Sequence, residues 1–213
     1  MANGTDPVLE KIKGLKEAGA AAVQAGNVGT FSGFPPALAQ RMNVSFLGDF
    51  TNDQLLTAIA KSAESHGIDV ILAGLDFPLH ATVLEADWNE NLGDWCEICS
   101  FMSQEISLVA DGYRHHKDLL FQHVILDGEG NCLLMADSIP TWLIGLRMDL
   151  ATVYKAYNLQ VRRMDDILHA TLCRIRSYDG GDLSAFCCGI EKLEGETLFQ
   201  CRRVRIGSAL DLL

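Results

Sequence analysis

The hydrophobic pattern changes period along the chain, and those changes predict the elements. Asp6-Pro7 opens a helix, with Pro at the first helical position and Val8, Ile12 and Leu15 recurring at helical spacing. A Gly- and Pro-rich loop follows over 26–36. Its glycine spacing fits neither a P-loop nor a dinucleotide fingerprint, so it carries no phosphate role on sequence grounds. Thr51 and Gln54 form a capping box for a helix running to about His66, stopped by Gly67. From residue 68 short apolar runs take over. Strands are predicted at 69–76, 79–86, 119–126, 132–136, 167–175 and 197–206, the pair around the turn 127–131 forming a hairpin. Between them, helices are predicted at 91–112, from a Ser138 cap to about Tyr157, and at 182–193. The order implies an α+β domain of two similar halves over 68–213, preceded by an N-terminal helical extension over 1–67.

Within this pattern one tetrapeptide occurs twice. His80-Ala81-Thr82-Val83 returns as His169-Ala170-Thr171-Leu172, each time in an apolar, strand-like stretch. Side chains alternate along a strand, so His80 and Thr82 share a face, as do His169 and Thr171. Ala81, Val83, Ala170 and Leu172 then face the core. Imidazole titrates near neutrality and suits both halves of an acid–base exchange. A hydroxyl two residues on can donate to a phosphate oxygen and hold it. Such a pair needs no metal to cleave a phosphodiester, and no cofactor is expected.

The paired H-x-T-hydrophobic motifs resemble those of the 2H phosphoesterase superfamily. The resemblance covers roughly residues 69–210. It implies two α+β lobes with antiparallel sheets around a central cleft, one motif per lobe. It also implies catalysis by His80 and His169, phosphate binding by Thr82 and Thr171, and hydrolysis of a cyclic phosphate or 2′-linked phosphodiester on a nucleotide or short oligonucleotide. The second motif continues to Arg174, as in the RNA-ligase-like members, which makes Arg174 a further phosphate contact. On a regular strand, however, Arg174 would point away from His169. The resemblance leaves two alternatives open: a non-catalytic nucleotide-binding or scaffold protein of the same fold, and 2′-5′ RNA ligation.

Charge narrows the partners. The net charge is -11, which argues against long nucleic acid but permits a small phosphate ligand met by a few local cations. Phe77, Trp88 and Tyr178 flank the motif strands and are candidates to stack on a base. His123 lies in the hairpin, while His115 and His116 read as solvated and His66 as a helix C-terminal residue. The seven cysteines read as reduced thiols, and the lone Cys96/Cys99 pair as structural, because a zinc site needs a second ligand pair. No apolar run approaches the ~18 residues that span a bilayer, and no signal-peptide core opens the chain. The expectation is a cytoplasmic enzyme with no membrane association, whose N-terminal region is the candidate surface for a protein partner.

Overall fold

The structure, a computed structural model, describes residues 6–33, 41–51, 54–87, 95–113, 115–116, 118–163 and 167–208. Helix α1 (Pro7–Ala25) begins where expected: the Asp6 carboxylate accepts from the Val8 amide at 2.9 Å, and Gly26 closes the helix at φ 63°. It is followed by β1 (Arg41–Phe50), α2 (Gln54–Ser65), β2 (Asp69–Leu72), β3 (His80–Asp87), α3 (Trp95–Gly112), β4 (Asp118–Phe121) and β5 (His123–Leu126). Then come β6 (Asn131–Met135), α4 (Thr141–Ala156), β7 (Gln160–Arg163), β8 (His169–Ser177), α5 (Leu183–Glu191) and β9 (Thr197–Ser208). The class is α+β, and every pairing of these strands is antiparallel.

The strands form one nine-stranded sheet in the order β4-β9-β1-β3-β8-β6-β5, with β7 on β3 and β2 on β8. It divides physically at its middle. Strand β3 pairs along its length with β1, and β8 with β6 and β2, but β3 meets β8 only at Ala81 and Ala170. Helices α3 and α4 cover the β3 half, and α1, α2 and α5 cover the β8 half. Each lobe thus carries one motif strand at its centre.

The lobes are not consecutive stretches of chain: the stretch 1–67, expected to be a helical extension, also contains a strand of the sheet. Residues 41–50 form β1, which lies between β9 and β3 in the first lobe. A strand with both faces covered loses its alternation, and β1 is buried over most of its length. Helix α1 is also part of the fold. Val8 and Ile12 pack on Ile125, Leu133 and Met135, and Gly19 lies so close to the Leu126 carbonyl that a Cβ would sit 1.8 Å from its oxygen.

Two other expectations change. The run 119–126 is two strands that part at Gln122, with β4 pairing β9 in one lobe and β5 pairing β6 in the other. Helix α4 starts at Thr141 behind Pro140, with no side-chain cap, so Ser138 does not serve as one. The Cys96/Cys99 side chains lie outside what the structure describes. The five described cysteines are free thiols, among them Cys132 and Cys173, which are buried and opposed across β6 and β8. No described helix is long and apolar enough to cross a membrane.

Candidate active site

The site is built where the lobes touch. Ala81 pairs with Ala170. In an antiparallel pair, the residue before one partner lies beside the residue after the other. His80 therefore sits next to Thr171, and His169 next to Thr82. Both alanines are fully buried, so the two imidazoles and two hydroxyls share the opposite face. The four residues expected to act together are brought together.

Each motif strand slips by one residue at the same place. Val44 opposes Leu84 while Ser45 opposes Thr82, so Val83 is bulged out. Cys132 opposes Cys173 while Leu133 opposes Thr171, so Leu172 is bulged out. A bulge reverses the alternation beyond it. After Leu172 the cleft face is taken by Arg174, while Cys173 and Ile175 turn inward and are fully buried. This corrects the expectation that Arg174 points away from His169. The first strand behaves identically, and there Glu85 and Asp87 reach the cleft. Glu85 therefore holds the position, five residues past the histidine, that Arg174 holds in the second copy.

Thr82, Glu85, His169 and Arg174 line a cavity of about 850 Å³, together with Asn43 and Arg147. His80, half-buried, stands two residues before Thr82 on β3, and neither it nor Thr171 is among the lining residues. Its Nδ1 lies 2.8 Å from the Pro78 carbonyl. A carbonyl only accepts, so Nδ1 carries the hydrogen and Nε2 holds the lone pair. Burial, reinforced by the Arg174 and Arg205 charges, lowers the His80 pKa below its ordinary 6.5; the Pro78 bond opposes this. His80 is thus kept neutral, as a base requires.

Arg174 is aimed by a relay. Asp127 accepts from Asn131 Nδ2 at 2.9 Å, and Asn131 Oδ1 accepts from Arg174 Nη1 at 3.0 Å. Burial lowers the guanidinium pKa, and Asp127 and Glu129 counter it. The Phe31 ring lies 5.6 Å from Arg174 Cζ, within reach of a cation–π contact.

Sequence reasoning missed four residues here. Arg147 is 5% exposed, and its Nε donates to the bulged Val83 carbonyl at 2.8 Å. Its Nη2 donates to Ile167 O at 3.2 Å, tying the first motif strand to the segment entering the second. Phe31 comes from the segment 26–33 that follows α1, held against β8 by its amide on Ile175 O. Asn43 stands opposite Glu85 across β1 and β3. Counting five residues past each histidine would have found Glu85; nothing local marks the other three.

The stacking candidates fare differently. Phe77 is 5% exposed, packed in the core with no face to offer. Tyr178 packs against the core, and its hydroxyl donates to Val28 O at 3.0 Å, fastening the loop that carries Phe31. Trp88 lies outside the described residues. His123 stands two strands from His169, opposite Met135, and is bonded to Asp137 and near Glu194. His116 stacks on Trp142 with centroids 5.3 Å apart. Among the described residues, no group of three or more His, Cys, Asp or Glu side chains is arranged to hold a metal ion.

No protein-family model and no curated protein matches the chain. Solved structures with a similar fold include the MHV ns2 PDE domain, at 12% identity and a TM-score of 0.48, covering 79% of this chain and 97% of that one. Usb1 of Kluyveromyces marxianus is similar at 10% identity and a TM-score of 0.38, with the same coverage of 79% and 97%. At these identities and scores neither likeness bears on the chemistry, which rests on the paired motifs and their meeting at Ala81 and Ala170.

Proposed function

We propose that the protein is a phosphodiesterase working by two-histidine acid–base catalysis, without a metal, on a cyclic phosphate or 2′-linked phosphodiester of a nucleotide or short oligonucleotide. The observation that carries this reading is the Ala81–Ala170 pair, which sets two H-x-T motifs face to face. In the resting enzyme His80 is the base, because its Nδ1 hydrogen is committed to Pro78 and its Nε2 is left to take a proton. Water attacks phosphorus as its proton passes to His80. The P–O bond to the leaving oxygen breaks as protonated His169 gives its proton to that oxygen. Thr82 and Thr171 donate to the non-bridging oxygens, and Arg174 meets the charge that builds on them.

The test is turnover of 2′,3′-cyclic nucleotides with EDTA present. Activity is expected to persist, and His80→Ala or His169→Ala to lower it by about 10²–10⁴-fold. Loss of activity on chelation contradicts the metal-free mechanism. Full turnover in both variants contradicts the assignment of the histidines. Nucleotide binding without product by the wild type would favour a binding protein instead.

A further inference from the structure

The first lobe carries a cation that the acid–base chemistry does not use. Directly paired residues of antiparallel strands share one face of the sheet. Thr82 on β3 pairs with Ser45 on β1, and Ser45 with Arg205 on β9. Arg205 therefore stands in line with Thr82, on the face that carries the histidines. The next pair along, Phe46 and Val204, faces the other way, where Phe46 meets the Trp142 ring of α4. Besides burial, the charges that lower the His80 pKa are those of Arg174 and Arg205, so both guanidiniums lie within electrostatic reach of the site.

Arg205 also lacks a counter-charge. Arg41, Arg162, Arg176 and Arg202 each meet a carboxylate, on Glu85, Asp87, Asp69 and Asp49. Arg147 is engaged by backbone carbonyls and Arg174 by Asn131. Among the described residues, Arg203 and Arg205 have neither an ion pair nor a hydrogen bond. Arg203 is exposed, where water satisfies it, but Arg205 is half-buried. A partly desolvated cation without a partner is unfavourable, and an arriving anion recovers the loss. In a chain of net charge -11, such a cation beside the histidines is also a local attractor for anions.

We infer that Arg205 holds a second phosphate of the substrate, next to the one cleaved. The reacting phosphate belongs between β3 and β8, where the two motifs meet. Strand β9 lies beyond β1 on the other side of β3, and two strand spacings put the Arg205 backbone about 10 Å from that of Thr82. Arg174 serves the reacting oxygens from β8. A guanidinium reaching in from β9 meets the group beside them, over β1 and β3. A ribose phosphorylated on both sides presents an anion there, as a terminal 5′-phosphate or as the diester to the preceding nucleotide. The inference rests on reading the cleft as a phosphodiester site.

Calorimetry with three probes tests it: adenosine 3′-monophosphate, adenosine 3′,5′-bisphosphate, and a dinucleotide of adenosine that ends in a 3′-phosphate. The last two add a phosphate across the ribose, one as a monoester and one as a diester. The wild type is expected to bind one or both about ten- to a hundredfold more tightly than the monophosphate, the scale of one charge-assisted hydrogen bond. Arg205→Gln should remove most of that gain and leave the monophosphate affinity as it was, which also shows that the variant is folded. Arg202→Gln makes the same change of charge on the same strand, at a residue engaged by Asp49, and should keep the gain. No gain in the wild type, a gain that survives Arg205→Gln, or an equal loss in Arg202→Gln would overturn the inference. So would an equal fall for all three probes in Arg205→Gln, which would put Arg205 on the reacting phosphate. Hydrolysis of 2′,3′-cyclic AMP, followed separately, keeps the two readings distinct. A second-phosphate gain without hydrolysis removes the phosphodiesterase and keeps the subsite; hydrolysis without the gain removes the subsite alone.

Discussion

Strands β3 and β8 carry the same tetrapeptide pattern, the same bulge one residue past the threonine, and the same place at the centre of a lobe. They differ three residues past the threonine, where one presents Glu85 and the other Arg174. On the proposed reading, the shared features serve chemistry at a single phosphorus atom from both sides, and the divergent ones an asymmetric substrate with the anionic oxygens of its reacting phosphate on the Arg174 flank. The fixings differ as well. The bulged Leu172 carbonyl accepts from the Ala73 amide at 2.9 Å, whereas the bulged Val83 carbonyl accepts from a buried guanidinium. The second strand is steadied by backbone, the first by a side chain that also reaches Ile167 next to the second motif.

This comparison can be broken at several points. The largest effect beyond the histidines is expected at Arg174. Arg174→Ala should lower kcat/KM by about 10²–10³-fold, the scale of losing one preplaced donor to a developing oxyanion. Steady-state kinetics on a cyclic nucleotide would check it, and a loss below threefold would place Arg174 outside the phosphate site. Thr82→Val and Thr171→Val should each cost less, and by similar factors, because the two strands are equivalent there. A large effect at one threonine and none at the other would break the symmetry.

Arg147 comes next, as a matter of stability. Arg147→Leu leaves two backbone carbonyls without their donor, at about 1–3 kcal/mol for each buried group. Urea denaturation should show a lower midpoint with an unchanged slope. An unchanged midpoint would mean that the bulge stands without its clamp.

The smallest effect is expected at the loop. Phe31→Leu removes a cation–π contact worth about 0.5–2 kcal/mol, which should weaken nucleotide binding by a few-fold in calorimetry. No change in affinity would show that the ring only covers Arg174.

Much of this was legible in the sequence, and the rest fails to be for specific reasons. The motif strands could be read because alternation of polar and buried residues is a local signal, and the repeat made it conspicuous. The bulges could not be, since a slipped register depends on the partner strand and leaves no mark at Val83 or Leu172. Misjudging the face of Arg174 follows directly from that. Strand β1 was hidden because Asn43 and Ser45 interrupt its apolar run, and Asn43 does so because it lines the cleft. The aromatic group over the cleft arrives from a loop whose composition reads as mere connection, while Phe77 sits close to the motif in sequence yet inside the core.

The pH dependence of kcat/KM tests the central claim most directly. A bell-shaped profile is expected, and because burial holds His80 below 6.5, its acidic limb should fall below that pH. His80 serves as base only when neutral, so its contribution is lost as pH falls through its lowered pKa, while the basic limb is set by the loss of the proton that His169 must give. His80→Ala should erase the acidic limb and His169→Ala the basic one. A wild-type profile with no acidic limb below 6.5, or limbs that survive in both variants, would contradict the account.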